Sequence, residues 1–476
     1  MAKILCYELN EVPWRVVDLY VDRFPKSSLA QLLRSGASQI TTHTTDSGEL
    51  HPWSTWPTMH RGVNNDEHNI RYINQDLSCA AQRPPIWDLL TRAGKSVGIA
   101  GCLQSYPPVA RDEMLFHIPD TFAPESDTIP AKYSRFQSLN LKLTGENRAV
   151  AGALNISDFF AGLNLFSAGL SADSAVRLAR HLVQERLNPL HKRRRATMQA
   201  YVAFDVFYDA LVASQPSYAA FFSNHVAGTM HRYWKYAFPS DFGYALGDSA
   251  EEKFHSGTIL HAMSIFDGQL ARLMQFANEN GYEVVIASSM GQEAIERGEY
   301  HPELMLESLS NLCRTIGYTA PVRMNLAMQP DLALEFEDAD ALQRFLRCVQ
   351  ELRNSDGESV LRKRYDQQGL TLNLSIGSGK YPARDGAVFF KGQSFDLADA
   401  GFRIISRDQG TGYHQPEGML IWKGPNQPSV EIREVFDSRQ YAPTVLKAMG
   451  VEAPAYMMPA ISAVRQCPPQ TAGMLQ

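Results

Sequence analysis

The chain has 476 residues, 44% of them hydrophobic and 20% charged, with a formal net charge of −6. That mix is ordinary for a globular protein and excludes disorder, collagen and coiled coil as the whole-chain class. The acidic balance argues against nucleic-acid binding as the dominant role and leaves room only for a local basic patch. At about 100–200 residues per domain, the length allows two to four units, or one large α/β domain with insertions. No apolar run reaches the roughly 18–20 residues of a membrane span. The opening MAKILCYEL enters a strand-like run, with neither the long apolar region nor the cleavage site of a signal peptide. Cys6, Cys79, Cys102, Cys313, Cys348 and Cys467 are scattered without a CxxC pair. This fits reduced thiols in a cytoplasm and argues against a Cys-ligated zinc site or a disulfide framework.

In chain order, Ile4 to Tyr7 reads as a short strand ending in Glu8-Leu9-Asn10-Glu11. A helix is predicted over Pro13 to Ser35, stopped by Gly36, then a polar loop from Gln39 to His51. Pro85 to Gly94 reads as a helix and Ser96 to Ala100 as a buried strand. This alternation predicts a mostly parallel sheet with helices on both faces, a three-layer αβα sandwich. Residues 125–215 carry helical periodicity, as in Ala172 to Leu187 and Arg195 to Leu211, and read as a helical insertion. The core resumes with a strand at Tyr218 to Phe222, a long helix over Ala250 to Asn278 and a strand at Glu283 to Ala287. Residues 300–400 read as a smaller α+β insertion. Gly418 to Trp422 returns to the sheet, and Asp437 to Gly450 reads as the closing helix. The core is thus expected over 1–124, 216–299 and 401–460, with a mobile tail at 461–476.

Ligands of open α/β sheets bind beyond the carboxyl ends of the strands. Three predicted strand ends carry polar residues: Glu8 and Asn10, Asn224 and His225, and Ser289 and Gln292. Of thirteen histidines, His51, His60, His225, His231 and His414 lie beside such ends. Neutral imidazole is a common zinc ligand, which points to a metal site. His225 and His231 are six apart, so a loop through Gly228 is needed to bring both to one ion. Trp53 and Trp56 straddle Ser54-Thr55 and read equally as core or as walls for a sugar or base ring. His191-Lys-Arg-Arg-Arg195 reads as a solvated face, and Gly377-Ser-Gly-Lys380 lacks the spacing of a phosphate-binding loop.

Several segments resemble the alkaline phosphatase superfamily, in particular its type I phosphodiesterase/nucleotide pyrophosphatase branch. They are Thr55-Trp-Pro-Thr-Met-His-Arg-Gly62 with Glu67-His68-Asn69-Ile70, Phe222 to Trp234, Glu283 to Gly291, Gly412-Tyr-His414 and Tyr441 to Gly450, in the family's order. Glu8-Leu-Asn-Glu11, Pro52-Trp-Ser-Thr-Trp56 and Asn224 to Trp234 also resemble a divergent subgroup with altered metal ligands. The resemblance implies a two-metal site, usually zinc, and a Thr or Ser nucleophile that takes up a phosphoryl or related group. It matches His231 and His414 directly, while Ser289 and Met290 stand where the family has Asp and His. What remains is one ion, zinc by preference, held by His225, His231 and His414 with Glu8 as fourth ligand or general base. Thr55 takes the nucleophile position, with Ser54 as the alternative and Glu8 or His60 as its base. His60, Asn10, Asn224, Trp53, Trp56 and Gln292 orient the substrate or line the pocket. The function implied is a cytoplasmic metal-dependent hydrolase or transferase acting on a phosphoester, phosphodiester or similar anionic ester of a small molecule or glycan. The rivals are a single-metal enzyme of the same fold with a different reaction, and a catalytically silent ligand-binding protein.

Overall fold

The computed structural model describes residues 2–73, 75–146, 166–296, 303–325, 327, 331–364, 369–376, 386–405, 410–424 and 431–462. Its centre is an eight-stranded sheet. In chain order the strands are β1 (Lys3–Leu9), β2 (Ser38–His43), β3 (Val97–Ala100), β4 (Met114–Ile118), β5 (Tyr218–Ser223) and β6 (Tyr282–Ala287). After these come the hairpin strand β7 (Gly291–Ala294) and strands β8 (Glu303–Leu306), β9 (Val322–Asn325), β10 (Leu332–Phe336), β11 (Leu352–Arg353), β12 (Leu361–Lys363), β13 (Thr371–Ile376), β14 (Ala387–Phe390), β15 (Gln393–Asp396) and β16 (Phe402–Ile405). The chain then returns through β17 (Gly412–Gln415), β18 (Glu417–Lys423) and β19 (Glu431–Asp437).

The sheet order is β19-β2-β18-β6-β1-β5-β3-β4. Every neighbouring pair is parallel except those made by β18, which runs against both β2 and β6. Glu8 of β1 stands opposite Phe222 of β5 and Ala287 of β6, so the three predicted strand ends share one edge. Because β18 is reversed, its beginning, not its end, lies at that edge. The preceding hairpin strand β17, with His414, is therefore delivered there.

Period-two alternation divides β1 between two cores. Leu5, Tyr7 and Leu9 face one apolar cluster, packed by the helices Gln199–Ser214, His225–Ala237 and Thr258–Asn280. Ile4 and Cys6 face the other, packed by the helices Pro52–Arg61, Ile86–Arg92 and Tyr441–Ala448. A third cluster, running from Leu304 to Phe402, belongs to the small antiparallel sheets β12-β13-β10-β9, β11-β14-β15 and β16-β8.

Several expected elements differ. The helix expected over Pro13 to Ser35 is two helices, Trp14–Arg23 and Ser28–Arg34, because Pro25 cannot continue the first. The long helix breaks at Gly257 into Ala250–Ser256 and Thr258–Asn280. The polar loop at Gln39 is strand β2, buried although its sequence is Ser-Gln-Ile-Thr-Thr-His. The closing helix is shorter, Tyr441–Ala448, preceded by β19. Arg194 and Arg195 are not a solvated face: Arg194 bonds the Phe254 carbonyl at 2.7 Å, and Arg195 clasps Glu185. Gly377 to Lys380 and the tail beyond 462 lie outside the described residues.

Gly418 lies where β18 crosses beside Ser288. A Cβ there would strike the Ser288 carbonyl and sit 2.9 Å from Thr42 Oγ1. The obstacle is backbone, which yields little. Gly418→Ala is expected to destabilise the central sheet by about 1–3 kcal/mol, read as a lower urea midpoint. An unchanged midpoint would show that β18 can shift without loss.

Candidate metal centre

Beyond Leu9 the chain turns sharply, and Glu11 adopts φ +60°. A non-glycine residue in the left-handed region is uncommon, and such conformations gather at functional sites. The turn sends the Glu11 carboxylate into the protein, where it is 2% exposed. Asn10 Nδ2 donates to Glu11 Oε1 at 2.8 Å, and Gln292 Nε2 donates to Glu11 Oε2. The same Oε2 faces His231 Nε2 at 3.0 Å and His414 Nε2 at 3.5 Å. The ligand atoms of Glu11, His231 and His414 all lie within 4.8 Å of one another.

Each member arrives by a different route. His231 sits on the helix His225–Ala237 that follows β5. His414 sits on β17, opposite Gln292 of β7. The Gly412 carbonyl accepts a hydrogen bond from His231 Nδ1 at 2.9 Å. A carbonyl only accepts, so Nδ1 carries a proton, and Nε2 is the atom that faces Glu11, able to donate a proton to the carboxylate or to offer a lone pair to an ion. At 3.0 Å the nitrogen and the carboxylate oxygen share either a proton or a cation. Zinc bonds of about 2.0–2.2 Å in a tetrahedron place ligand atoms about 3.3–3.6 Å apart, a range that includes the 3.5 Å of His414 and lies just above the 3.0 Å of His231. One carboxylate and two imidazoles, one of them oriented by a carbonyl, are a suitable donor set for such an ion. Burial pushes the Glu11 carboxyl up, but the imidazoles of His414 and His231 outweigh it and hold the group well below the usual carboxylate range. Burial likewise pushes His414 down, and the facing Glu11 carboxylate more than reverses that.

This is a correction to the expected ligand set. His225 is not a member. Its Nε2 donates to the Ala262 carbonyl at 3.0 Å and its Nδ1 pairs with Ser223 Oγ at 2.8 Å. The segment expected to loop through Gly228 is helical. Six residues along a helix turn about 600°, which leaves the two side chains about 120° apart and about 9 Å along the axis. Glu8 is not a member either. Strand alternation turns it to the opposite side, where Oε1 meets His60 Nε2 at 2.7 Å with both groups fully buried. His60 in turn packs against the rings of Trp56 and Trp87.

The remaining predicted residues fall into two groups. Asn10 and Gln292 touch Glu11, and Asn224 Oδ1 accepts from Asn10 Nδ2 at 2.7 Å. Trp56 is wholly buried and donates from Nε1 to Asn10 Oδ1 at 2.8 Å, so it is core with one supporting hydrogen bond. The other group lies on the Pro52–Arg61 helix. Thr55 has zero exposure, and its hydroxyl is 2.7 Å from the Ser289 hydroxyl. Ser54 is 3.3 Å from Asp46 Oδ2. Burial pushes Asp46 up to about 6, against hydrogen bonds from Thr58, Asn65 and Ser54. Trp53 donates to the Arg71 carbonyl and stacks on His51 with centroids 4.4 Å apart. Glu11 is the residue that sequence reasoning missed. The available signal was its position: two residues beyond the last register residue of β1, it hangs over the edge where ligands bind.

No protein-family model matches the sequence, and no curated protein matches it. Solved structures to which it is similar include the following three. Murine ectonucleotide pyrophosphatase/phosphodiesterase 5 is 10% identical, covers 96% of this chain and 97% of its own, and gives a TM-score of 0.40. Phosphonoacetate hydrolase from Sinorhizobium meliloti 1021, in complex with phosphonoformate, is 12% identical over 95% and 96%, with a TM-score of 0.41. Wild-type alkaline phosphatase PafA is 11% identical over 98% and 99%, with a TM-score of 0.46. The likeness lies in the course of the chain and assigns no residue a role. Among the described residues, no helix is long and apolar enough to cross a membrane.

The environment of His225 has a measurable consequence. Burial holds its pKa near 4, against an ordinary 6.5, partly opposed by the hydrogen bond to Ala262. A depressed value means that its stability contribution is intact above pH 6.5 and is lost as pH falls toward 4. The loss amounts to about 3 kcal/mol. His225→Gln keeps a donor for Ala262 but cannot titrate. Its drop in unfolding free energy between pH 7 and pH 4 is expected to be smaller by about that amount. Parallel pH profiles for the two proteins would show that His225 is not held neutral.

Proposed function

We propose that the chain is a metal-dependent hydrolase of an anionic ester, a phosphoester, phosphodiester or similar group on a small molecule or glycan. The observation that carries this reading is the Glu11 carboxylate facing two imidazole nitrogens at the carboxyl edge of the sheet. The ordered motif resemblance supports the substrate class. Glu11, His231 and His414 would hold one divalent ion, zinc by preference, and its chemistry is to polarise the ester and neutralise developing negative charge. Asn10 and Gln292 fix the two oxygens of Glu11, and Gly412 fixes the ring of His231. His231 is 31% exposed, so the group is open to solvent on that side.

The geometry favours hydrolysis without a covalent Thr55 intermediate. The Thr55 hydroxyl is fully buried and its partner is another hydroxyl, Ser289, rather than the imidazole or carboxylate that activates a nucleophile. Glu8 and His60, the bases that sequence reasoning offered it, are engaged with each other.

Two measurements test the reading. Zinc titrated into chelated protein is expected to bind at one equivalent, to be lost in His231→Ala and His414→Ala, and to weaken about 10–100-fold in Gln292→Leu. A panel of phosphomonoesters, phosphodiesters, phosphonates and sulfates is then run with zinc or manganese. Turnover of at least one substrate should disappear in Glu11→Gln and survive in Thr55→Ala, with no burst in either. If no divalent ion binds or stabilises the protein, the metal reading is wrong. If the ion binds and the whole panel is inert, the silent ligand-binding reading replaces it. A burst abolished by Thr55→Ala would restore the covalent route.

A further inference from the structure

A second polar cluster, unused by the reading above, touches the same histidines. Arg364 follows β12 on the antiparallel unit. Its Nη2 lies 2.7 Å from Glu49 Oε2 and 3.5 Å from His51 Nε2, and its Nε lies 2.7 Å from Asp331 Oδ2. Glu49 also accepts a hydrogen bond from the Tyr413 hydroxyl and stands 3.6 Å from His51 Nε2. These partners lead straight to the candidate centre. The Tyr413 ring stacks on His414 with centroids 4.7 Å apart, and His51 meets His414 edge-on at 5.9 Å. One guanidinium from the antiparallel unit is thus shared by two carboxylates beside the metal-binding histidines.

The two carboxylates hold it differently. Asp331 is 19% exposed and meets Nε, the inner edge of the guanidinium. Glu49 is 44% exposed and meets the outer Nη2, while Arg364 itself is 24% exposed. An ion pair open to water contributes little, because both partners are well solvated when apart. A phosphate or similar oxyanion carries more charge than a single carboxylate and can take over the Nη2 donor that Glu49 now holds, while Asp331 keeps Nε. Exchange of Glu49 for a substrate oxyanion gives up a half-exposed ion pair, lets Glu49 keep its Tyr413 and His51 contacts, and leaves Asp331 to keep the guanidinium aimed.

We infer that Arg364 is the anion-recognition residue of this site, masked by Glu49 until an oxyanion of the substrate takes the place of the Glu49 carboxylate. The inference rests on the hydrolase reading for its substrate, yet it concerns a different set of residues. It makes Glu49 an intramolecular competitor. Removing its charge should help anions bind, whereas a merely structural clasp would be weakened from either side.

The test is calorimetric titration of inorganic phosphate into the full chain, with and without zinc. Arg364→Ala is expected to weaken phosphate by about tenfold or more, with Arg364→Lys in between. Glu49→Gln is expected to tighten it severalfold. Zinc affinity, measured separately, should stay within twofold in all three. If Glu49→Gln weakens phosphate as Arg364→Ala does, or if neither moves it, the pair is a clasp between units and the inference is overturned. If wild-type protein binds no phosphate in either condition, it is overturned as well. If zinc fails to bind while phosphate still responds to Arg364 and Glu49 with opposite signs, the metal reading falls and the inference stands. The Glu49→Gln arm keeps the test decisive should Arg364→Ala misfold.

Discussion

A carboxylate buried as deeply as Glu11 has to be matched, because a bare charge out of water costs several kcal/mol. Its matching groups come from every part of the chain: Asn10 beside it, His231 after β5, Gln292 after β6 and His414 before β18. The sheet exists in the form needed to bring them together. Parallel β5, β1 and β6 put three strand ends in register, and the reversed β18 adds a fourth segment by its beginning. Were β18 parallel like the rest, the residues before it would emerge at the opposite edge, and His414 could not reach Glu11. The antiparallel strand is therefore a requirement of the site as well as a feature of the fold.

That dependence explains what could and could not be read from the sequence. β1, β5, β6 and β18 were legible because strands buried on both faces are continuous apolar runs. β2 was not, since Ser38, Gln39, Thr41 and Thr42 look like a loop until β18 and β19 are placed on either side of it. Gln39, Thr41 and Thr42 find side-chain partners in other segments, as when Thr42 donates to the Ser288 carbonyl at 3.1 Å. The sign of such partners lies in other segments, not in local pattern. The helix breaks at Pro25 and Gly257 are the reverse case, where local chemistry overrides a periodicity that runs on past it.

The site divides along the same line. His231 and His414 were legible as ligand-type residues at strand ends. His225 was misplaced because the choice between loop and helix after Asn224 decides which face each residue takes. Apolar Val226, Ala227 and Met230 settle that choice by packing against the core. Arg364 and Glu49 left no sequence signal, because their meeting depends on how the antiparallel sheets dock on the parallel one.

Glu8 and Glu11 show how finely the backbone sets chemistry. They lie three residues apart and are equally buried, yet they serve unlike surroundings. Period-two alternation turns Glu8 beneath the sheet, where His60 answers it among Trp56 and Trp87. The left-handed turn at Glu11 instead swings its carboxylate over the edge toward two imidazoles. Trp56 joins the two, packing on His60 while its indole N–H holds Asn10, which in turn holds Glu11. A structural carboxylate–imidazole pair thus braces the side chain that positions the candidate metal ligand. The tryptophan that read from sequence as either core or ring wall is core, and through Asn10 it acts on the site from there.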